Sequence, residues 1–181
     1  IFDGETDTAI KIYTGRKSGS LATEFDFLNS ARPKGITKDI QMLSFKFNNK
    51  ENNAFNSNET LDFTVTWKAK KDLENVRFET NLKNSNDLPV GFAFSDIIEK
   101  VKADNIYVSN FSFNISNLLK EKYNAGFGAT QNDSFGNVIY LDYINNAFNF
   151  EVSENDDCTL KNKKSLNWGS VKFNDISVKT E

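Results

Sequence analysis

Thr60-Leu61-Asp62-Phe63-Thr64-Val65-Thr66-Trp67-Lys68-Ala69 alternates between two kinds of side chain over its whole length. Successive side chains of an extended chain point to opposite faces, so Leu61, Phe63, Val65, Trp67 and Ala69 share one face. Thr60, Asp62, Thr64, Thr66 and Lys68 share the other. The segment reads as a half-buried β-strand. The same period recurs in Val76-Phe78-Thr80-Leu82, in Val90-Phe92-Phe94, in Phe111-Phe113-Ile115, in Tyr123-Ala125-Phe127-Ala129 and in Phe148-Phe150-Val152. Ile40 to Phe47, Val138 to Tyr143 and Val171 to Phe173 are further expected strands, and the connections are rich in Asn, Asp, Ser and Gly. Eight or nine strands in about 140 residues, with helix expected only at Phe94 to Ala103 in this part of the chain, predict an all-β, antiparallel β-sandwich.

Composition agrees with a folded domain and removes several chemistries. The chain of 181 residues carries 17 Phe and 5 Tyr, bulky strand-favouring material for one core. Its longest apolar stretch, around Val90 to Phe94, is far short of the roughly 20 residues of a membrane helix. There is no His and a single Cys, which excludes Ser-His-Asp and Cys-His catalysis and nearly every zinc or transition-metal site. Neither a cofactor nor a metal is expected. Cys158 has no partner within the chain, a pattern that fits a reducing compartment. With 22 basic and 25 acidic residues the net charge is −3, so no global positive field is available to hold nucleic acid.

Ahead of the strands, Asp3 to Tyr13 places Ala9, Ile10 and Tyr13 on one face behind polar and acidic residues, the pattern of a short N-terminal helix. Thr14 to Lys34 reads as linker plus an edge segment, and Pro33-Lys34-Gly35 as a turn. Ile1 without a preceding Met points to a fragment of a longer chain.

Three further patterns carry little. Gly15-Arg16-Lys17-Ser18 has the end of a phosphate-binding loop but no opening Gly and no preceding buried strand, so it reads as linker. Asp133, Asp142, Glu154, Asp156 and Asp157 lack the spacing of a calcium loop and read as solvated turns. The Asn-x-Ser/Thr triplets at Asn58, Asn110, Asn114 and Asn132 are what chance supplies in an Asn-rich chain. A distant pair of glycosidase carboxylates has no sequence signature to look for.

The remaining candidate is a polar sheet face. Arg77, Glu79 and Asn81 alternate with Val76, Phe78 and Thr80 and point off the same side of the sheet. Arg, Asn and carboxylates are the multidentate hydrogen-bonding groups that recognise sugars, with an aromatic ring against the apolar side of a pyranose. Asn124, Tyr140 and Tyr143 join this surface if their strands adjoin, with Tyr140 or Tyr143 as the stacking ring. The alternative is an ordinary wet face of an antiparallel sheet.

Two regions carry a family resemblance. Phe111-Ser-Phe-Asn-Ile-Ser-Asn-Leu118-Leu119-Lys-Glu-Lys-Tyr123-Asn-Ala-Gly126-Phe127 resembles the F-x-I-x-x-L-x-L-x-x-G-x-Y strand, turn and strand of O-antigen export proteins. Ile139-Tyr-Leu-Asp142-Tyr-Ile-Asn-Asn-Ala147-Phe-Asn-Phe150-Glu-Val152 is similar to their D-x-x-x-x-A-x-x-F-x-V ending, and Trp168-Gly169-Ser-Val171-Lys-Phe173 follows it. At the other end, Gly4-Glu-Thr-Asp-Thr-Ala9-Ile10-Lys-Ile-Tyr13 resembles the G-x-x-x-x-A-I-x-x-Y helix that closes their ATPase domain. Lys122 stands where the family usually has Gly, and the last strand lacks its frequent terminal aromatic. The family is the C-terminal carbohydrate-binding domain of the ATP-binding subunit of O-antigen polysaccharide ABC transporters, the Wzt type.

The resemblance implies an immunoglobulin-like β-sandwich that binds O-antigen polysaccharide in the cytoplasm, at the inner membrane, and couples its recognition to export. It implies partnership with the transporter's membrane subunit and ATPase domain, and a homodimer with a terminal strand exchanged between protomers. Residues 1–34 are then the end of the preceding ATPase domain plus linker and edge, and residues 35–181 the sandwich. No catalytic residue is expected. A two-carboxylate glycan-processing hydrolase and an extracellular adhesin-type sandwich stand as the alternatives.

Overall fold

The computed structural model describes residues 22–153, 169–171 and 178. The expected N-terminal helix, the Gly15 to Ser18 segment, Glu154, Asp156, Asp157, Cys158, Trp168 and Phe173 lie outside them.

Nine strands form in chain order: β1 (Glu24–Asp26), β2 (Ile40–Phe47), β3 (Ala54–Phe55), β4 (Thr60–Ala69), β5 (Leu73–Lys83), β6 (Pro89–Val101), β7 (Ile106–Asn114), β8 (Glu121–Asn132) and β9 (Val138–Val152). Among the described residues there is no helix, and none therefore that is long and apolar enough to cross a membrane. A four-stranded sheet runs β1-β2-β4-β7 and a five-stranded sheet β3-β9-β8-β5-β6. All pairs are antiparallel except the short parallel contact of β3 with β9.

The core is built from phenylalanines that meet across the two sheets. Phe45 of β2 stacks on Phe148 of β9 at 4.3 Å between ring centroids, and Phe63 of β4 meets Phe127 of β8 edge-on at 5.7 Å. Trp67 of β4 packs edge-on against Phe78 of β5 at 5.3 Å, and its indole N–H donates to the Ser109 hydroxyl on β7. Edge-on and offset rings are the arrangements that the aromatic quadrupole favours. Leu61, Phe63, Val65, Trp67 and Ala69 are all buried, as their alternation predicts. Tyr123, near the start of β8, donates its hydroxyl to the Leu119 carbonyl four residues upstream and to Ser170. Val171 pairs with Leu118 in an isolated bridge.

Two expectations are corrected here. Phe94 to Ala103 is not helical: β6 pairs with β5 from Pro89 to Val101. The register shifts between Arg77 and Glu79, where Ser95 and Asp96 on β6 stand against Phe78 alone on β5, one extra residue. That bulge resets the alternation. Phe94, Ile97, Ile98 and Val101 thereby acquire a helix-like spacing while the backbone stays extended. The acidic group also dissolves. Asp133 closes the β8–β9 hairpin, accepting the backbone N–H groups of Phe135 and Asn137, whereas Asp142 is no solvated turn but a core residue, 1% exposed.

Asp142 is held by Arg32. The guanidinium donates to both carboxylate oxygens through Nε and Nη2, at 3.0 and 3.1 Å. Its other N–H groups reach the carbonyls of Phe27, Ser30 and Met42. The carboxylate also accepts the backbone N–H groups of Met42 at 2.7 Å and Tyr143 at 2.9 Å. All five guanidinium donors and four carboxylate acceptor positions are thus used, which is what a buried ion pair requires. The edge segment is tied down by this pair, by β1 and by the buried ring of Phe27.

Candidate carbohydrate-binding face

The outer surface of the five-stranded sheet is ordered by its register into rows, because residues directly opposite on neighbouring strands share a face. One row reads Tyr143 on β9, Gly128 on β8, Glu79 on β5 and Phe94 on β6. Beside it lies Tyr140, Thr130, Arg77 and Ile97, and on the other side Gly126, Asn81 and Phe92. Arg77, Glu79, Asn81, Tyr140 and Tyr143 therefore meet on one surface. Asn124 stands apart, opposite Lys83 and Asn149, two positions along β8 beyond Gly126.

Two glycines make this arrangement possible. A Cβ on Gly128 would lie 2.2 Å from Cδ2 of Tyr143, and one on Gly126 would lie 2.5 Å from the Tyr143 hydroxyl. Their missing side chains open a furrow along β8, and the Tyr143 ring lies in it. Its hydroxyl accepts a hydrogen bond from Nδ2 of Asn81, whose Oδ1 accepts the Gly126 N–H at 3.2 Å. Tyr143 is 8% exposed and its hydroxyl is pushed up to about 12, first by burial and then by the charge of Glu79. Of the two rings named as alternatives for stacking, Tyr143 is packed into the sheet surface. Tyr140, 40% exposed, meets it edge-on at 5.6 Å and is the ring that solvent reaches.

Glu79 sits at the centre of the face. Burial raises its carboxyl above the ordinary range, and the Tyr140 hydroxyl, which donates to it, opposes that shift in part. Arg77 gives it no ion pair. The guanidinium turns along β5, donating from Nε to the Ser95 carbonyl at 3.1 Å and lying 4.9 Å over the ring of Phe94. A half-buried carboxylate flanked by phenols and an amide is an acceptor for ligand hydroxyls. The raised carboxyl has a sign that can be checked. The folded state holds the proton more tightly than the unfolded one, so stability is greatest below the unfolded value of 4.5 and falls as pH rises through the folded value. Glu79→Gln is therefore expected to unfold at higher urea than the wild type at pH 7, and to lose that advantage at pH 4.

The alternation of Val90, Phe92 and Phe94 predicted that these rings face the core, and this too is corrected. Phe92 is 75% exposed and Phe94 48% exposed, in edge-on contact at 5.6 Å on the outer face. Alternation identifies two faces but does not say which is buried, and on β6 the small Ala93 and Gly91 take the inward positions opposite Thr80 and Leu82. The paired outward glycines, Gly126 and Gly128, were the sequence signal for a furrow.

A cavity of about 250 Å³ lies elsewhere, lined by residues that include Arg32, Asp142, Lys38, Gln41 and Lys70. Its central charges neutralise each other. Among the described residues no three metal-ligating side chains gather at a point.

The profile of the Wzt C-terminal domain matches residues 36–173. The chain belongs to the Wzt C-terminal domain family. A crystal structure of the C-terminal domain of Wzt is similar over 84% of this chain and 89% of that one, with a TM-score of 0.64 and 15% identity. At that identity the likeness speaks for the fold alone. No curated protein matches the chain. The Wzt profile begins at residue 36, so β1 and Arg32 lie ahead of the matched span although both pack on the sandwich.

Proposed function

We propose that this Wzt-family domain binds O-antigen polysaccharide on the outer face of its five-stranded sheet, without cutting it, and couples that recognition to export by an ABC transporter. The observation that carries the reading is the meeting of Glu79, Arg77 and the exposed Tyr140 ring on one continuous face with the exposed rings of Phe92 and Phe94 beside them. Carboxylate and guanidinium exchange hydrogen bonds with hydroxyls, and the rings take the apolar faces of sugars. Each such bond contributes only about 0.5–1.5 kcal/mol net. Affinity for a single site is modest on this reading, and a homodimer acting on a repeating polymer gains by avidity. The three rows hold one carboxylate, Glu79, where a glycosidase sets two.

The wider proposal follows from family membership. The domain acts in the cytoplasm, peripheral to the inner membrane, joined through residues 1–34 to an ATPase domain that works with a membrane subunit. Its sandwich is immunoglobulin-like, which the Tyr123 hydroxyl bonded four residues upstream supports as a tyrosine corner. Calorimetric titration with delipidated O-polysaccharide of the source strain tests the reading. Saturable binding without shortening of the polymer is expected, weakened about tenfold, or about 1.4 kcal/mol, by Tyr140→Ala and by Arg77→Ala. Unchanged affinity in both variants, or release of shorter fragments, would reject it.

A further inference from the structure

We infer that the binding face does not end at Tyr140 and Glu79 but continues across β5 to Phe92 and Phe94 on β6, so that the site takes a run of at least three consecutive sugars laid across the strands. This rests on the polysaccharide reading above and specifies the length and direction of what is bound.

The register supplies the direction. Tyr143, Gly128, Glu79 and Phe94 lie in line across β9, β8, β5 and β6, with Tyr140 and Phe92 in the flanking rows at opposite ends. Three inter-strand steps of about 4.8 Å separate β9 from β6, about 14 Å in all. One sugar on Tyr140 cannot also reach Phe92.

The chemistry supplies the occupant. β6 is the edge of its sheet, and edge strands ordinarily carry charge rather than phenylalanine on their open face. Two phenyl rings in contact, 75% and 48% exposed, form an apolar patch that calls for a partner. A second copy of the chain pressed onto the face would bury the Glu79 carboxylate beside Phe94 and take the Arg77 guanidinium out of water, each at a cost that apolar contacts do not repay. A polyol meets both needs, since its hydroxyls satisfy Glu79 and Arg77 while its C–H faces cover the rings. Because β6 is an edge, the chain of sugars can run on past Phe92.

The test uses size-fractionated fragments of the delipidated O-polysaccharide, from one to six sugars, titrated into the wild type and Phe92→Ala. Affinity is expected to climb up to three or four sugars and then level off. Phe92→Ala should lower it about tenfold for fragments of three or more and leave one- and two-sugar fragments unchanged, with an unaltered melting temperature because the ring is exposed. Equal affinity for short and long fragments overturns the inference yet leaves the polysaccharide reading intact. No binding of any fragment or of the polymer rejects both. A change in sedimentation of Phe92→Ala without a change in fragment affinity assigns the patch to a contact between copies and also overturns it.

Discussion

Arg32→Ala is expected to lower the stability of the domain by about 3–5 kcal/mol, since it leaves the Asp142 carboxylate buried without its cation. Asp142 is 1% exposed and cannot recover water where it stands. Removing the carboxylate instead is expected to cost at least as much. Asp142→Ala strands a guanidinium whose side chain is 11% exposed, and it leaves the N–H groups of Met42 and Tyr143 without the acceptor they now share. Replacing both members with apolar residues, as in Arg32→Met with Asp142→Leu, should recover part of the loss, because no lone charge remains, but not the part due to the two N–H groups and to the carbonyls of Phe27, Ser30 and Met42 that Arg32 satisfied. Urea unfolding of the four proteins measures all of this, with the slope checked for constancy. A loss below about 1 kcal/mol for Arg32→Ala would mean that the pair is wet in solution. The same reasoning predicts that a chain shortened to begin at Ile36 is at least as unstable as Arg32→Ala, since it lacks Arg32, β1 and the buried Phe27 ring together.

The strands were legible because each announces itself locally. Thr60 to Ala69 shows an unbroken period of two, and its inward residues are those that the alternation picks out, whereas in Ile40 to Phe47 the register shifts between Met42 and Ser44 and the inward set steps from Ile40 and Met42 to Phe45 and Phe47. What failed to show in the sequence depends on things a local window does not contain. The bulge at Ser95 and Asp96 inserts one extra residue into one strand only, and the resulting spacing imitates a helix. The facing of Phe92 and Phe94 is settled by the register that sets them opposite Asn81 and Glu79 on β5. Arg32 and Asp142 are separated by 110 positions and no pattern links them, so Asp142 was grouped with acidic neighbours of the wrong kind. On the candidate face, Arg77, Glu79 and Asn81 came together because they are two apart on one strand. Tyr140 and Tyr143 joined them only through the adjacency of β8, which alternation does not foretell. Their different fates, one exposed and one laid in a furrow, follow from Gly126 and Gly128 on that intervening strand.

Those glycines give the second large effect. Gly128→Ala places a methyl group 2.2 Å from Cδ2 of Tyr143 and 3.0 Å from the Asp142 carbonyl, and backbone on that side cannot retreat without disturbing the β8–β9 ladder. The ring must lift. It then gives up its place in the furrow and the hydrogen bond from Asn81, and it moves Tyr140, which leans on it edge-on. Overpacking of this kind costs about 1–3 kcal/mol, which in a chain of this length lowers the melting temperature by about 2–4 °C for each kcal/mol. On the proposed function, affinity for the polysaccharide should fall with it, because the reachable ring and the acceptor it contacts are displaced together. The cause can be isolated by repeating the substitution in a Tyr143→Ala background. With the ring gone, two of the three nearest atoms to a methyl at position 128 are removed and the Asp142 carbonyl at 3.0 Å remains, while the unfolded chain loses the extra freedom of glycine, worth about 0.5–1 kcal/mol. The substitution should then be close to neutral. A coupling energy above about 1 kcal/mol between the two positions, from thermal or urea unfolding, would establish that glycine is there to seat the ring. Equal losses in the two backgrounds would trace the effect to the strand pairing of β8 and leave Tyr143 without a part in shaping the face.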